Sequence, residues 1–142
     1  MKTAVITGGS GGLGRAAAEK FAKEGYRVYE LSRRGSSFDG VTHITADVTD
    51  EQTVKSAFEK ISEENDGIDL CICNAGFGIS GAAEFTELAD AKSQLDVNFF
   101  GAFLTAKYAL PLLKMKRGRL MFVSSAAAVF AIPFQSFYSA SK

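Results

Sequence analysis

The sequence predicts an α/β fold, a parallel sheet with helices on both faces. Three observations carry this: short apolar runs with no polar alternation, helical stripes between them, and glycine or other small residues where several of the runs end. A strand buried on both faces loses the alternation of a half-exposed one, and alternation of such strands with helices favours parallel pairing through right-handed crossovers.

The elements follow in order. Thr3 to Ile6 is the first strand, feeding Thr7-Gly8-Gly9-Ser10-Gly11-Gly12-Leu13-Gly14, and Arg15 to Lys23 is the first helix, with Ala17, Ala18, Phe21 and Ala22 as its apolar residues. Glycines on a strand-to-helix turn permit close approach of a ligand, and the helix N-terminus offers free N–H groups to a phosphate. Arg27 to Leu31 is the second strand, ending in Ser32-Arg33-Arg34, with Glu30 an unexplained polar insert that could oppose the arginines. At this strand end an acidic side chain suits a ribose 2'-hydroxyl and an arginine suits a 2'-phosphate, so the arginines favour NADP over NAD. Two solvated arginines decorating a loop are the plain alternative.

Gly35 to Gly40 is a loop, and Thr42 to Ala46 a third strand closed by Asp47-Val48-Thr49-Asp50. Thr49 and Gln52 have capping-box spacing ahead of a helix over 51–65, striped by Val54, Ala57, Phe58 and Ile61. Asp47 either ends the strand or reaches a ligand. Asp69 to Cys73 is the fourth strand and runs into Asn74-Ala75-Gly76; Phe77 to Gly81 then forms a candidate substrate-side lip. Helical signal continues from Thr86 to Lys116, dividing near Asp96, with Pro111 expected to bend or break it. Asn98 in the second of these helices is either a satisfied core amide or the mark of a functional kink. Leu120 to Val123 is the fifth strand, delivering Ser124 and Ser125, and the apolar loop over 126–137 is a candidate pocket wall. The whole is a Rossmann-type doubly wound sheet, truncated after the fifth strand.

Composition narrows the partners. At 142 residues, 46% hydrophobic and 23% charged, the chain reads as one soluble domain, residues 1–142. Sixteen basic residues balance sixteen acidic ones, which leaves no footprint for nucleic acid or an anionic membrane and points to a small molecule. Cys71 and Cys73 share a face of a buried strand, and with a single histidine, His43, they are core residues and no metal site is expected. Their state fits a reducing compartment. Met1 leads straight into a strand, with neither a signal pattern nor a run of spanning length, so the expected location is cytoplasmic.

Tyr138 and Lys142, four residues apart, share one helical face, where the ammonium favours the phenolate. They form an acid/base pair, with Ser125 upstream.

Thr7-Gly8-x-x-x-Gly12-x-Gly14, Asn74-Ala75-Gly76, Ser125 and Tyr138-x-x-x-Lys142, in this order and on these elements, resemble the short-chain dehydrogenase/reductase family. The resemblance spans the chain but only the N-terminal part of a family member. It implies that Gly8, Gly12, Leu13 and Gly14 cradle the cofactor pyrophosphate, that Arg33 reads the 2'-phosphate, and that Asp47 and Val48 contact the adenine. Asn74 and Gly76 are implied to line the cofactor. Ser125 is implied to hydrogen-bond the substrate carbonyl, Tyr138 to exchange the proton, Lys142 to bind the nicotinamide ribose and favour ionised Tyr138, and Asn98 to hold a water linked to Lys142. Chemically this is general acid catalysis during hydride transfer between a nicotinamide and a carbonyl or alcohol substrate. The chain departs from the family pattern at Cys73, where asparagine is usual, and at Gly11, which is often basic in NADP-dependent members.

Two further expectations follow from the ending at Lys142. A single helical turn there is poorly supported, since nucleation is costly and the last carbonyls lack partners. The apolar fifth strand becomes an open edge, so the chain is expected either to associate through it as a homo-oligomer or to be the ordered remnant of a longer protein. The leading functional reading is an NADP-dependent oxidoreductase; the alternative is a fragment that binds the dinucleotide without chemistry.

Overall fold

The computed structural model describes residues 1–142. Its five strands are β1 (Thr3–Thr7), β2 (Arg27–Ser32), β3 (Val41–Thr45), β4 (Leu70–Cys73) and β5 (Arg119–Phe122), all parallel in the order β3-β2-β1-β4-β5. The order reverses between β1 and β4, which opens a crevice above the carboxyl ends of those strands. β1 and β4 are buried along their whole length, as apolar runs without alternation require.

Helices α1 (Gly12–Lys23), α2 (Glu51–Glu64), α3 (Leu88–Leu95), α4 (Gly101–Lys116) and α5 (Ser136–Ser141) connect the strands. One core cluster packs α2 and α4 against one sheet face through Val54, Phe58, Ile61, Ala109 and Leu113. The smaller cluster packs α1 on the other face through Ala18, against Ala4, Ile6 and Val28. The Cys71 thiol is pushed well up in pKa by its hydrogen bond with Cys73 and by burial, as befits a core residue.

Several local expectations change. Asp50, not Thr49, caps α2: its carboxylate accepts from the N–H groups of Gln52 at 2.9 Å and Thr53 at 3.4 Å, while Thr49 is turned back onto Asp47. Asp is the stronger acceptor and stands one residue nearer the helix. The long helical stretch does divide at Asp96, but through a π-helical segment, Asp96–Phe100, instead of a break. α4 continues through Pro111 because buried Ala109 and Leu113 on either side pin it to the sheet.

In the segment over 126–137 most apolar residues face outward, although Ala127 is buried and Phe137 half-buried. Val129 is 79% exposed and Phe130 69%, and only Gln135 of this stretch lines the central cleft. The final turn is better held than its length implies. Lys142 N–H donates to the Tyr138 carbonyl at 3.1 Å, Ser124 Oγ donates to the Lys142 carbonyl at 2.9 Å, and Asn98 Nδ2 donates to Ser141 Oγ at 2.8 Å. Tertiary partners thus satisfy groups that helix propagation would otherwise have to satisfy. β5 is the sheet edge, with Met121 and Phe122 about half exposed.

Candidate active site

The glycine turn is the centre of the site. Gly8 and Gly12 have φ of +69° and +53°, a region that side chains disfavour, and they carry the chain from β1 into α1. Beneath them Gly14 is buried, and a Cβ there would lie 2.5 Å from Asn74 Nδ2. Asn74 ties β4 to this turn: its Nδ2 donates to the carbonyls of Thr7 at 3.0 Å and Gly8 at 3.3 Å, and Thr7 Oγ1 accepts the N–H groups of Asn74 and Ala75, each at 3.0 Å. A glycine turn fixed this way aims the free N–H groups of α1 into the crevice.

Two hollows meet over the turn, sharing Gly8, Ala75, Gly76 and Phe77. The first, of about 630 Å³, is also lined by Gly12, Leu13, Asn74, Ser124, Tyr138 and Lys142. The second, of about 660 Å³, is lined by Ser10, Ser32, Arg33, Arg34, Asp47 and Val48. Together they make one groove across the switch point, with Tyr138 and Lys142 at one end and arginines at the other.

At the arginine end Asp47 accepts from the N–H and Oγ1 of Thr49 at 2.9 and 2.7 Å. Partial burial pushes its carboxyl up, but those two hydrogen bonds and the Arg33 charge outweigh burial and hold it below its ordinary value. Asp47 is therefore an ionised groove wall facing Arg33. Val48 is buried and packs where Gly101, at the start of α4, leaves room: a Cβ on Gly101 would come within 2.7 Å of Val48 Cγ2.

At the other end Tyr138 and Lys142 are half-buried. The Tyr138 ring passes over Gly78 and Lys142 Nζ over Gly76; a Cβ on Gly78 would meet the ring at 3.4 Å, and one on Gly76 would meet Nζ at 3.4 Å. Small residues after β4 are what admit both side chains. Asn98, 6% exposed, sits below them. Its Oδ1 accepts from Phe77 N–H at 2.9 Å and its Nδ2 donates to the Phe77 carbonyl and to Ser141 Oγ, both at 2.8 Å. Asn98 is thus a satisfied core amide, and it lies in a π-helical segment.

Ser125 is half-buried just past the end of β5. Its Oγ accepts from Ala127 N–H at 3.2 Å, capping a short 3-10 turn over Ala126–Ala128, and Ser124 is the serine on the cleft wall. Gln94 escapes a reading from sequence. It is fully buried one turn before Asn98, and its Oε1 accepts from Ile79 N–H at 3.3 Å. Two amides four residues apart on one helical stripe were the available signal, since together they grip the loop after β4.

The model of the short chain dehydrogenase family matches residues 2–142. The chain belongs to the short-chain dehydrogenase family. This short-chain dehydrogenase chain is similar to a 3-ketodihydrosphingosine reductase of Bacteroides thetaiotaomicron, 40% identical over 140 residues, covering 97% of this chain and 52% of the relative. It superposes on the ligand-free aldohexose dehydrogenase of Thermoplasma acidophilum with a TM-score of 0.91 and 34% identity, covering 99% of this chain and 55% of the other. A third likeness is to an alcohol dehydrogenase from the archaeon Thermococcus sibiricus complexed with 5-hydroxy-NADP: TM-score 0.93, 27% identity, 99% and 65% coverage. The short-chain dehydrogenase chain thus spans about half the length of the curated relatives it matches. No helix in it is long and apolar enough to cross a membrane.

Proposed function

We propose that this chain is the cofactor-binding part of an NADP-dependent oxidoreductase acting on a carbonyl or alcohol substrate. One observation carries the reading: a single groove runs over the glycine turn from Arg33 and Asp47 to Tyr138 and Lys142. The residues fit a dinucleotide. A Cβ on Gly12 would meet nothing within 4 Å, so the turn is open to a pyrophosphate at the α1 N-terminus. The cation-lined hollow suits a 2'-phosphate, and the solved structure with 5-hydroxy-NADP is of the same fold.

When bound, a nicotinamide supplies or accepts the hydride. Gly8, Gly12, Leu13 and Gly14 hold the pyrophosphate, Arg33 pairs with the 2'-phosphate, Asp47 and Val48 border the adenine, and Asn74 and Gly76 shape the floor. Tyr138 gives its hydroxyl proton to the substrate carbonyl oxygen in reduction, and in oxidation its phenolate oxygen takes the proton of the substrate alcohol. Lys142 orients the ribose, while Asn98 holds the loop beneath it and the helix that carries Tyr138 and Lys142. Ser125 hydroxyl keeps its hydrogen free to donate to the substrate oxygen, since the capping bond uses only a lone pair.

The alternative is dinucleotide binding without turnover, which is consistent with the chain's spanning about half the length of its relatives. The exposed edge of β5, with Met121 and Phe122, also supports self-association into a homo-oligomer. Titration with NADPH, followed by its fluorescence, tests the first claim. Saturable enhancement supports it, and its absence ends it. NADPH consumption with a panel of aldehydes and ketones separates turnover from binding alone, and sedimentation at several concentrations tests self-association.

A further inference from the structure

β2 buries a carboxylate. Glu30 is fully buried between Tyr29 and Leu31, themselves core residues, at a position where an apolar side chain would cost nothing to desolvate. It pairs across the sheet with His43, its register partner on β3: Glu30 Oε1 and His43 Nδ1 are in hydrogen-bond contact, and His43 Nε2 lies 3.1 Å from Thr45 Oγ1. With the proton on Nδ1, the ring donates to Glu30 and accepts from Thr45, so the neutral imidazole is satisfied on both sides.

This pair touches both walls of the arginine end of the groove. Ser32 Oγ lies 3.2 Å from Glu30 Oε1 and 2.9 Å from the Arg34 carbonyl; its single hydrogen is shared between these two acceptors, so the hydroxyl stands between the buried carboxylate and the backbone of the arginine loop. Gly35 lies directly on the pair; a Cβ there would come within 2.6 Å of Glu30 Oε1 and 2.8 Å of His43 Nδ1. His43 N–H donates to Ser37 Oγ at 3.0 Å, which ties down the far side of the loop. On the opposite wall, a Cβ on Gly9 would be 2.5 Å from Glu30 Cβ and 3.2 Å from Glu30 Oε2, the one carboxylate oxygen with no hydrogen-bond partner. The phosphate turn therefore rests on the stem of Glu30, and the arginine loop rests on its head.

We propose that Glu30 and His43 are positioning residues: they lock the Ser32–Gly35 loop against the glycine turn and so set where Arg33 stands in the groove, and with it the choice between NADPH and NADH. An apolar residue at position 30 would fill the space but could not hold Ser32, and the loop would lose its tie to the sheet. The effect on cofactor choice rests on the NADP reading above; the anchoring of the loop does not.

Two readouts on the 142-residue chain keep these apart. Trypsin cuts after Arg33 and Arg34 only when the loop opens, and cuts after Lys55 and Lys60 on α2 report general loosening. Glu30→Leu and Ser32→Ala are expected to speed cleavage after Arg33 and Arg34 by about fivefold, the effect of losing one hydrogen bond from a local opening equilibrium, with cuts on α2 unchanged. NADPH affinity is expected to fall by roughly tenfold with NADH affinity held within about twofold, because only the nucleotide with a 2'-phosphate senses Arg33. Glu30→Gln, which can still accept from His43 and Ser32, is expected to stay near the wild type in both.

Unchanged loop cleavage in Ser32→Ala and Glu30→Leu overturns the anchoring, whatever the nucleotides do. A Glu30→Leu chain cut faster everywhere, with Ser32→Ala like the wild type, overturns it as well and leaves a merely structural carboxylate. Faster loop cleavage with an unaltered NADPH to NADH ratio keeps the anchor and overturns its role in cofactor choice. A wild type that binds neither nucleotide removes the NADP reading and that role together, while the cleavage comparison still decides the anchor.

Discussion

Asn98 joins three parts of the site through three hydrogen bonds, two to the Phe77 backbone and one to Ser141 Oγ. Asn98→Ala deletes all three. A hydrogen bond is worth about 1 kcal/mol net, and more when its loss strands a buried partner. Phe77 is 40% exposed, so water replaces part of what its N–H and carbonyl lose, and Ser141 Oγ keeps its donation to the Tyr138 carbonyl at 2.8 Å. Both facts keep each loss near the net value, and the expected destabilisation is about 2–3 kcal/mol.

Asn98→Asp is the informative companion. At neutral pH its carboxylate still accepts from Phe77 N–H but faces the Phe77 carbonyl oxygen, so it is expected to be at least as destabilised as Asn98→Ala. Acidification protonates the carboxyl and restores a donor toward that carbonyl, so the deficit relative to wild type should shrink as pH falls. Urea unfolding followed by circular dichroism gives the stabilities, and amide exchange at Phe77 gives the local effect. If Asn98→Ala lies within about 0.5 kcal/mol of wild type, the size of an ordinary surface substitution, and Phe77 exchanges no faster, the clamp described here does not exist.

Other consequences are as direct. Gly14→Ala places a methyl against Asn74 Nδ2 and the Gly8 carbonyl, so a loss of about 2 kcal/mol is expected in thermal unfolding, together with loss of NADPH binding. Asp50→Ala removes the cap of α2 and should cost about 1 kcal/mol, whereas Thr49→Ala should leave α2 intact; comparing their urea midpoints decides between the two as cap. Burial, followed by its hydrogen bond to Glu64 Oε2 at 2.6 Å, raises the Tyr29 hydroxyl above its ordinary 10.0. The folded state prefers the neutral phenol, so this stabilisation is fully present below pH 10 and is lost as pH rises through the folded value. Tyr29→Phe should therefore be less stable than wild type at pH 8, by about 1 kcal/mol, with the gap closing in alkaline melts.

Much of the fold was legible locally. Apolar runs without alternation can be buried only between two helical layers, so Thr3 to Ile6 and Asp69 to Cys73 announced the centre of a parallel sheet. The glycine turn was readable because its residue types answer to torsions set within a few residues, as Gly8 and Gly12 show. Capping was harder: Thr49 and Asp50 are both good caps, and only the path of the chain after β3 selected Asp50.

The sequence by itself determined the order of strands and helices, the glycine turn, and the common helical face of Tyr138 and Lys142, because each depends on spacing along the chain. Tertiary structure alone decided what stands opposite what. The register of β2 on β3 brought Glu30 to His43, the π-helical segment turned Asn98 beneath Gly76, and the exit from β5 put Ser124 on the cleft wall. Such pairings join residues 13 to 43 positions apart, and one-residue slips reverse the face a side chain occupies, so no local pattern contains them.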